Sequence, residues 1–114
     1  MYSQTSINYI TSKVVQAAKE SLGNKLDKVI LYGSYARGDY SEESDVDVMV
    51  LANISREDRG LERGKIRQLL NCIDLEHDVV LTINVTDTET FNRFFLVEPF
   101  YQNVIKDGVV LGVG

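Results

Sequence analysis

The stretch GSYARGDYSEESDVDVMV, Gly33 to Val50, begins with a Gly-Ser pair that closes one apolar run. Ten residues later it opens a second apolar run with two carboxylates, Asp45 and Asp47. The run before it, KVILY (28–32), is short and rich in β-branched residues, and it stops at Gly33 as a strand does. The run after it alternates: Val46, Val48 and Val50 face one way, Asp45, Asp47 and Met49 the other. On a strand, residues two apart face the same side about 6–7 Å apart, so the two acids stand side by side. Like charges that close repel, and a divalent cation between them removes the repulsion. Oxygen ligands select hard ions, so Mg²⁺ is the expected ion, with Mn²⁺ as a substitute.

The other end of the stretch suits an anion. Gly33 lets backbone N–H groups come close to a ligand, and Ser34 adds a hydroxyl. Arg37 can fork two donors onto phosphate oxygens. Gly38 permits the return toward the second strand. A phosphate cradle facing a cation platform is what a nucleoside triphosphate requires. Other readings of the acids fail on spacing. Counting Asp45 as the first position of an EF-hand puts Val50 where glycine is needed and Arg56 where the bidentate glutamate belongs. RGKIR (63–67) lacks the glycine-rich lead and the Ser/Thr of a P-loop. The D-x-D acids of metal-dependent glycosyltransferases are similar, but the chain is too short for a donor fold with an acceptor site.

The flanking pattern predicts an α-β-β-α-β-α-α-β order. Ile7, Ile10, Val14, Ala17, Ala18 and Leu22 recur at helical spacing up to Gly23. A second helix starts at a Ser55–Asp58 capping box and carries Ile66, Leu69, Leu70 and Ile73. Alternation resumes from Asp78, with Val79, Leu81, Ile83 and Val85 on one face. Asp87 caps a short helix. Pro99 opens a last helix with Phe100, Tyr101, Val104 and Ile105 inward and Gly108 as its stop, and VVL (109–111) forms an edge strand. This is an α+β fold, a small mixed sheet with helices packed on one face and the other face left for function. If the third strand lies beside the second, Asp78 completes a carboxylate triad with Asp45 and Asp47. Glu76 has the same strand parity and is the alternative third acid.

With 114 residues, 44% of them hydrophobic and 25% charged, and a single proline, the chain is expected to form one domain over 1–114. The net charge of −5, with basic residues scattered, argues against tight nucleic-acid binding. No apolar run of about 18 residues and no basic-then-apolar leader is present, so a cytoplasmic protein without a membrane span is expected. Cys72 and His77 are the only residues of their kinds, which excludes an internal disulfide and a multi-Cys/His zinc site.

The whole pattern, G-S, ten residues and D-x-D, with Arg37-Gly38 inside it and Ser44 before the first acid, resembles the minimal nucleotidyltransferases (MNT) of the DNA polymerase β-like superfamily. HDVVLTI (77–83) resembles the family's third-acid strand, and VIKDGVVLG (104–112) its C-terminal end. The resemblance implies a palm-like mixed sheet with two Mg²⁺ ions on its acids. It also implies attack of an acceptor hydroxyl on the α-phosphate of a nucleotide, usually ATP, with release of pyrophosphate. By position, Asp45, Asp47 and Asp78 would bind metal, with Asp78 also the general base. Gly33, Ser34 and Arg37 would hold the nucleotide's phosphates. Small members occur beside a helical HEPN protein, and the resemblance implies an antitoxin that transfers AMP to a tyrosine of that HEPN toxin. Two alternatives stay open: an antitoxin acting by contact alone, and the nucleotide-binding subunit of a two-protein enzyme acting on a small molecule.

Overall fold

The computed structural model describes residues 4–40, 45–71, 73–76 and 79–114. Of the residues named above, Ser44 of the turn, Cys72, His77 and the proposed third acid Asp78 lie outside the described residues.

Among the described residues twelve elements follow one another, ten of them strands or α-helices and two short 3₁₀ turns. Helix α1 (Gln4–Leu22) leads through a 3₁₀ turn (Gly23–Lys25) into strand β1 (Leu26–Tyr32) and a one-turn helix α2 (Ser34–Arg37). Strand β2 (Val46–Ala52) leads into α3 (Arg59–Leu70), the one-turn α4 (Ile73–Glu76) and β3 (Leu81–Asp87). Helices α5 (Thr88–Phe94) and α6 (Pro99–Asp107) then lead into β4 (Val109–Val113). The sheet order is β3-β2-β1-β4, with β2 parallel to β3 and the other two pairs antiparallel. The mixed sheet, the neighbourhood of β2 and β3 and the edge position of β4 all match the reading of the sequence.

The main core fills one face of the sheet. Ile10 and Val14 of α1, Ile66 of α3, Val46, Val48 and Val50 of β2 and Leu81 and Ile83 of β3 are all buried there. Burying such a side chain contributes about 1.5–3 kcal/mol, so this layer carries most of the stability. Ser21 donates to Glu62 at 2.9 Å and so ties α1 to α3. At the β3 edge, Arg63 donates to the Ile83 carbonyl at 2.8 Å and Arg67 to the Leu81 carbonyl at 2.6 Å. Side-chain donors thus satisfy carbonyls that an open edge would offer to another chain.

The opposite face departs from the expectation that it would stay open. Ile30, Met49 and Leu51 project from it and are buried with Phe91 of α5 and Val104 of α6 in a second, smaller core. The physical reason lies in β2, whose apolar residues on both faces need cover on both faces. The end of this face that carries Asp45 and Asp47 keeps its polar character. In α6, Val104 is buried and Tyr101 half-buried as expected, but Phe100 and Ile105 are about 40% exposed. The stripe of this helix is therefore narrower than its spacing suggested. The Ser55–Asp58 capping box is also absent: a 3₁₀ turn (Arg56–Asp58) intervenes, and the Ser55 side chain makes no cap bond.

Asp87 does cap α5, accepting from the Thr90 N–H at 2.9 Å, and it also accepts from Arg59 Nε at 2.6 Å. Burial alone would raise its pKa, but the Thr90 hydrogen bonds and the Arg59 guanidinium outweigh that and hold the carboxyl at about 2. A depressed carboxylate stabilises the fold above its ordinary pKa, and this contribution is lost as pH falls from about 4 toward 2. Replacing Asp87 by Ala removes the cap and strands a largely buried guanidinium, so a loss of about 2–4 kcal/mol in urea denaturation is expected at pH 7. The difference from the parent protein should shrink below pH 3.

Candidate active site

The sequence Tyr32-Gly33-Ser34 turns β1 into α2, and the turn is possible only because residue 33 is glycine. Gly33 has φ 76° and ψ −157°, a region that side chains exclude. Its carbonyl accepts from the Ala36 and Arg37 N–H groups, both at 3.1 Å, which winds α2 tightly after the strand. Gly38, at φ 85° and ψ 6°, ends that turn in the left-handed conformation. Gly33 has a second reason to be glycine. A Cβ built there would lie 2.5 Å from Asp47 Oδ2, so the missing side chain is the space that the carboxylate occupies.

Asp47 is half-buried on β2, directly across from Tyr32 on β1 and beside Thr82 on β3. Its face is fixed by its neighbours, because Val46 and Val48 on either side of it pack into the main core. Asp45, exposed just before the strand, continues the same alternation, and the Val46 N–H donates to the Val80 carbonyl at 2.8 Å, which holds this end of the strand to the β3 side. Burial first and the Asp45 charge second push the Asp47 carboxyl above the usual carboxylate range, while Arg37 pulls it back. The site thus concentrates negative charge at a half-buried place with one cation in attendance. Arg37 itself is paired with Asp39 at 3.1 Å, with both side chains largely exposed, a contact of little stabilising value.

Five of the residues singled out in the sequence, Gly33, Ser34, Arg37, Asp45 and Asp47, therefore gather around the end of β1 and the start of β2. Asp78 falls outside the described residues. Glu76 does not belong to the site: it stands on α4, not on a strand, and lines a cavity of about 300 Å³ with Tyr9, Lys13, Glu20 and Asn71 in the helical layer. That cavity lies on the main-core side of the sheet, whereas Asp47 points to the other side. Among the described residues no group of three or more acids, His or Cys gathers at one point.

The reading of the sequence passed over three residues on this face, Tyr32, Thr82 and Asn84. Their signal was available only through strand register, which sets Tyr32 against Asp47 and brings Thr82 to the other side of the same acid.

The donor set fits a divalent cation. Two carboxylate oxygen donors at neighbouring positions, one of them seated in the space a Cβ would fill, are hard ligands of the kind Mg²⁺ takes, usually together with substrate phosphates.

A family model described as nucleotidyltransferase domain matches residues 11–110. The chain belongs to this family. The nucleotidyltransferase is 34% identical over 97 residues to a protein of Methanocaldococcus jannaschii provisionally named protein adenylyltransferase MJ0604, an alignment spanning 85% of this chain and 89% of that one. Its fold matches a nucleotidyltransferase structure from Sulfolobus solfataricus with TM-score 0.63 at 20% identity, over 97% of this chain and 89% of that one. It also matches a crystal structure described as a toxin–antitoxin with AMP-PNP, with TM-score 0.54 at 21% identity, over 91% and 73% of the two chains. At such identities these structures support the fold alone. Among the described residues, no helix of the nucleotidyltransferase is long and apolar enough to cross a membrane.

Proposed function

We propose that this nucleotidyltransferase moves AMP from ATP to a hydroxyl of a protein, acting on a tyrosine of a HEPN-type toxin as its antitoxin. The observation that carries the reading is the seating of Asp47 against Gly33 beside Asp45, at the strand end that turns into α2. The relative named protein adenylyltransferase and the fold shared with a toxin–antitoxin holding AMP-PNP favour ATP as donor and a protein as acceptor.

In this reading Asp45 and Asp47, with Asp78 as third acid, would hold two Mg²⁺ ions. When bound, the metal would supply charge neutralisation for the phosphates and for the leaving pyrophosphate. The chain's own part is positioning. Gly33 and Ser34 receive the terminal phosphates at the turn, and Arg37 exchanges its exposed partner Asp39 for phosphate oxygens. The acceptor oxygen bonds to the α-phosphorus, the bond from that phosphorus to the bridging oxygen breaks, and pyrophosphate departs. The acceptor's proton passes to Asp78. The chain 1–114 acts as one domain, and the helical partner supplies the acceptor.

Label transfer tests this directly. With α-labelled ATP, Mg²⁺ and the candidate toxin, label should reach the toxin, and neither Asp45→Asn nor Asp47→Asn should support it. Toxin inhibition that persists in both variants without any label would instead establish an antitoxin acting by contact. Label found on a small molecule would point to the two-protein alternative.

Arg37 and Asp39 give a finer check. Arg37→Ala should weaken nucleotide binding about tenfold in a fluorescence titration, since it removes a charged hydrogen bond. Asp39→Asn should leave affinity unchanged or slightly better, because it frees the arginine from an exposed pair.

A further inference from the structure

The corner between α5 and α6 carries the two most exposed large apolar side chains among the described residues, Leu96 at 83% and Val97 at 75%. Phe94 and Phe100, on either side of them in the sequence, are exposed as well. The second core takes its cover from other residues of the same stretch: Phe91 is buried in it, and Phe95 and Tyr101 pack against it. The corner is also held in shape. The Val97 and Glu98 N–H groups donate to the Phe94 carbonyl at 3.1 and 2.9 Å. From α6, the Gln102 side-chain amide donates to the Phe95 and Leu96 carbonyls at 3.1 and 2.9 Å. Leu96 and Val97 are thus presented outward on a fixed backbone, and a patch ordered in advance loses little conformational entropy when it is covered. Clustered apolar exposure of this kind marks an interaction surface.

The patch adjoins the candidate active site. The Phe100 ring meets Tyr32 edge-on at 5.6 Å between centroids, and Tyr32 ends β1 directly opposite Asp47. A protein that brings a hydroxyl to the acids must rest the remainder of its body on the surface around them. Contacts remote from the reacting oxygen are what hold that oxygen in line. The charge beside this surface is mainly negative. Asp39, Asp45 and Glu98 are exposed carboxylates, whereas Arg37 is paired with Asp39 and Arg93 lies over the Phe94 ring at 5.9 Å. An acidic border repels acidic surfaces and steers basic ones toward the site.

We infer that Phe94, Leu96, Val97 and Phe100 dock the protein acceptor, which meets them with an apolar stripe and carries basic residues beside its reacting hydroxyl. This rests on the proposed transfer of AMP to a protein.

The test uses the purified full chain with α-labelled ATP, Mg²⁺ and the candidate toxin as acceptor. Leu96→Asp/Val97→Asp changes only exposed positions, so it should keep the parent circular dichroism spectrum and the parent affinity for AMP-PNP in Mg²⁺. Its KM for the toxin should rise about tenfold or more with kcat near the parent value, the pattern of binding lost equally from ground and transition states. Leu96→Gln, which adds no charge, should raise KM in the same direction and is the independent variant should the double variant fail to fold. Leu61→Asp, at another exposed leucine on α3 across the sheet, should leave both constants unchanged. Added salt should raise the parent's KM severalfold, since it screens attraction between an acidic border and a basic acceptor. A parent-like KM in both Leu96 variants, or an equal rise in Leu61→Asp, overturns the docking role and leaves the function standing. A parent dimer that the double variant splits in sedimentation, with KM unchanged, gives the patch to a second copy and overturns it too. A KM indifferent to salt overturns the basic character of the acceptor. A parent protein that never labels the toxin removes the function and this inference together.

Discussion

Asp47→Asn should abolish nucleotidyl transfer and, without metal, make the protein more stable. The two outcomes have one cause. Burial and the Asp45 charge hold the Asp47 carboxyl above its ordinary value of 3.8, so its ionised form is a cost to the folded state. For a raised carboxylate, stability is highest below the ordinary pKa and is lost as pH rises through the folded value. At pH 7 the whole cost is present, and an uncharged isostere removes it. A higher melting temperature than the parent's is expected in EDTA, in line with the exchange of stability for activity at functional sites. Activity should fall by about 10³-fold or more, because a group aimed at developing charge has no substitute in the amide. Adding Mg²⁺ and an ATP analogue should then reverse the ranking, since ligand binding raises only the melting temperature of a protein that binds it. An Asp47→Asn protein that melts below its parent in EDTA would show that the carboxylate is satisfied by the protein itself.

The second large effect is expected at Gly33. Alanine there must adopt φ near 76° and ψ near −157°, and it must place its Cβ 2.5 Å from Asp47 Oδ2. Backbone strain of this kind costs about 1–3 kcal/mol, and the contact forces either the turn or the acid to move. Gly33→Ala should therefore lose stability in urea denaturation and lose transfer activity as completely as Asp47→Asn does. The double variant Gly33→Ala/Asp47→Ala separates the two causes. It removes the contact but not the backbone strain, so it should recover part of the stability and none of the activity. A double variant as stable as Asp47→Ala alone would mean that φ at this turn carries no cost.

The fold was legible from the sequence where a periodic pattern met a clear stop. Ile7 to Leu22 before Gly23, KVILY before Gly33, and Asp87 and Pro99 at helix starts all mark elements that the structure contains. The site's centre was legible for the same reason: the alternation from Asp45 to Val50 fixes which face the acids occupy. What escaped was long-range. Ile30, Met49 and Leu51 sit on the acids' face, and nothing local says that Phe91 and Val104 will come to cover them. Tyr32 looked like the end of an apolar strand until register set it against Asp47. Glu76 was the alternative third acid through its parity with Asp78, and a helix as short as Ile73–Glu76 offers too few residues for its own period to show.

Electron paramagnetic resonance of Mn²⁺ titrated into the protein with AMP-PNP tests the cation role of the paired acids most directly. In the parent protein the free Mn²⁺ signal should be depleted beyond what nucleotide alone takes up, and Asp45→Asn and Asp47→Asn should each abolish that extra depletion. Equal depletion in the parent and both variants would contradict it, because the crowded carboxylates would then have no cation to hold.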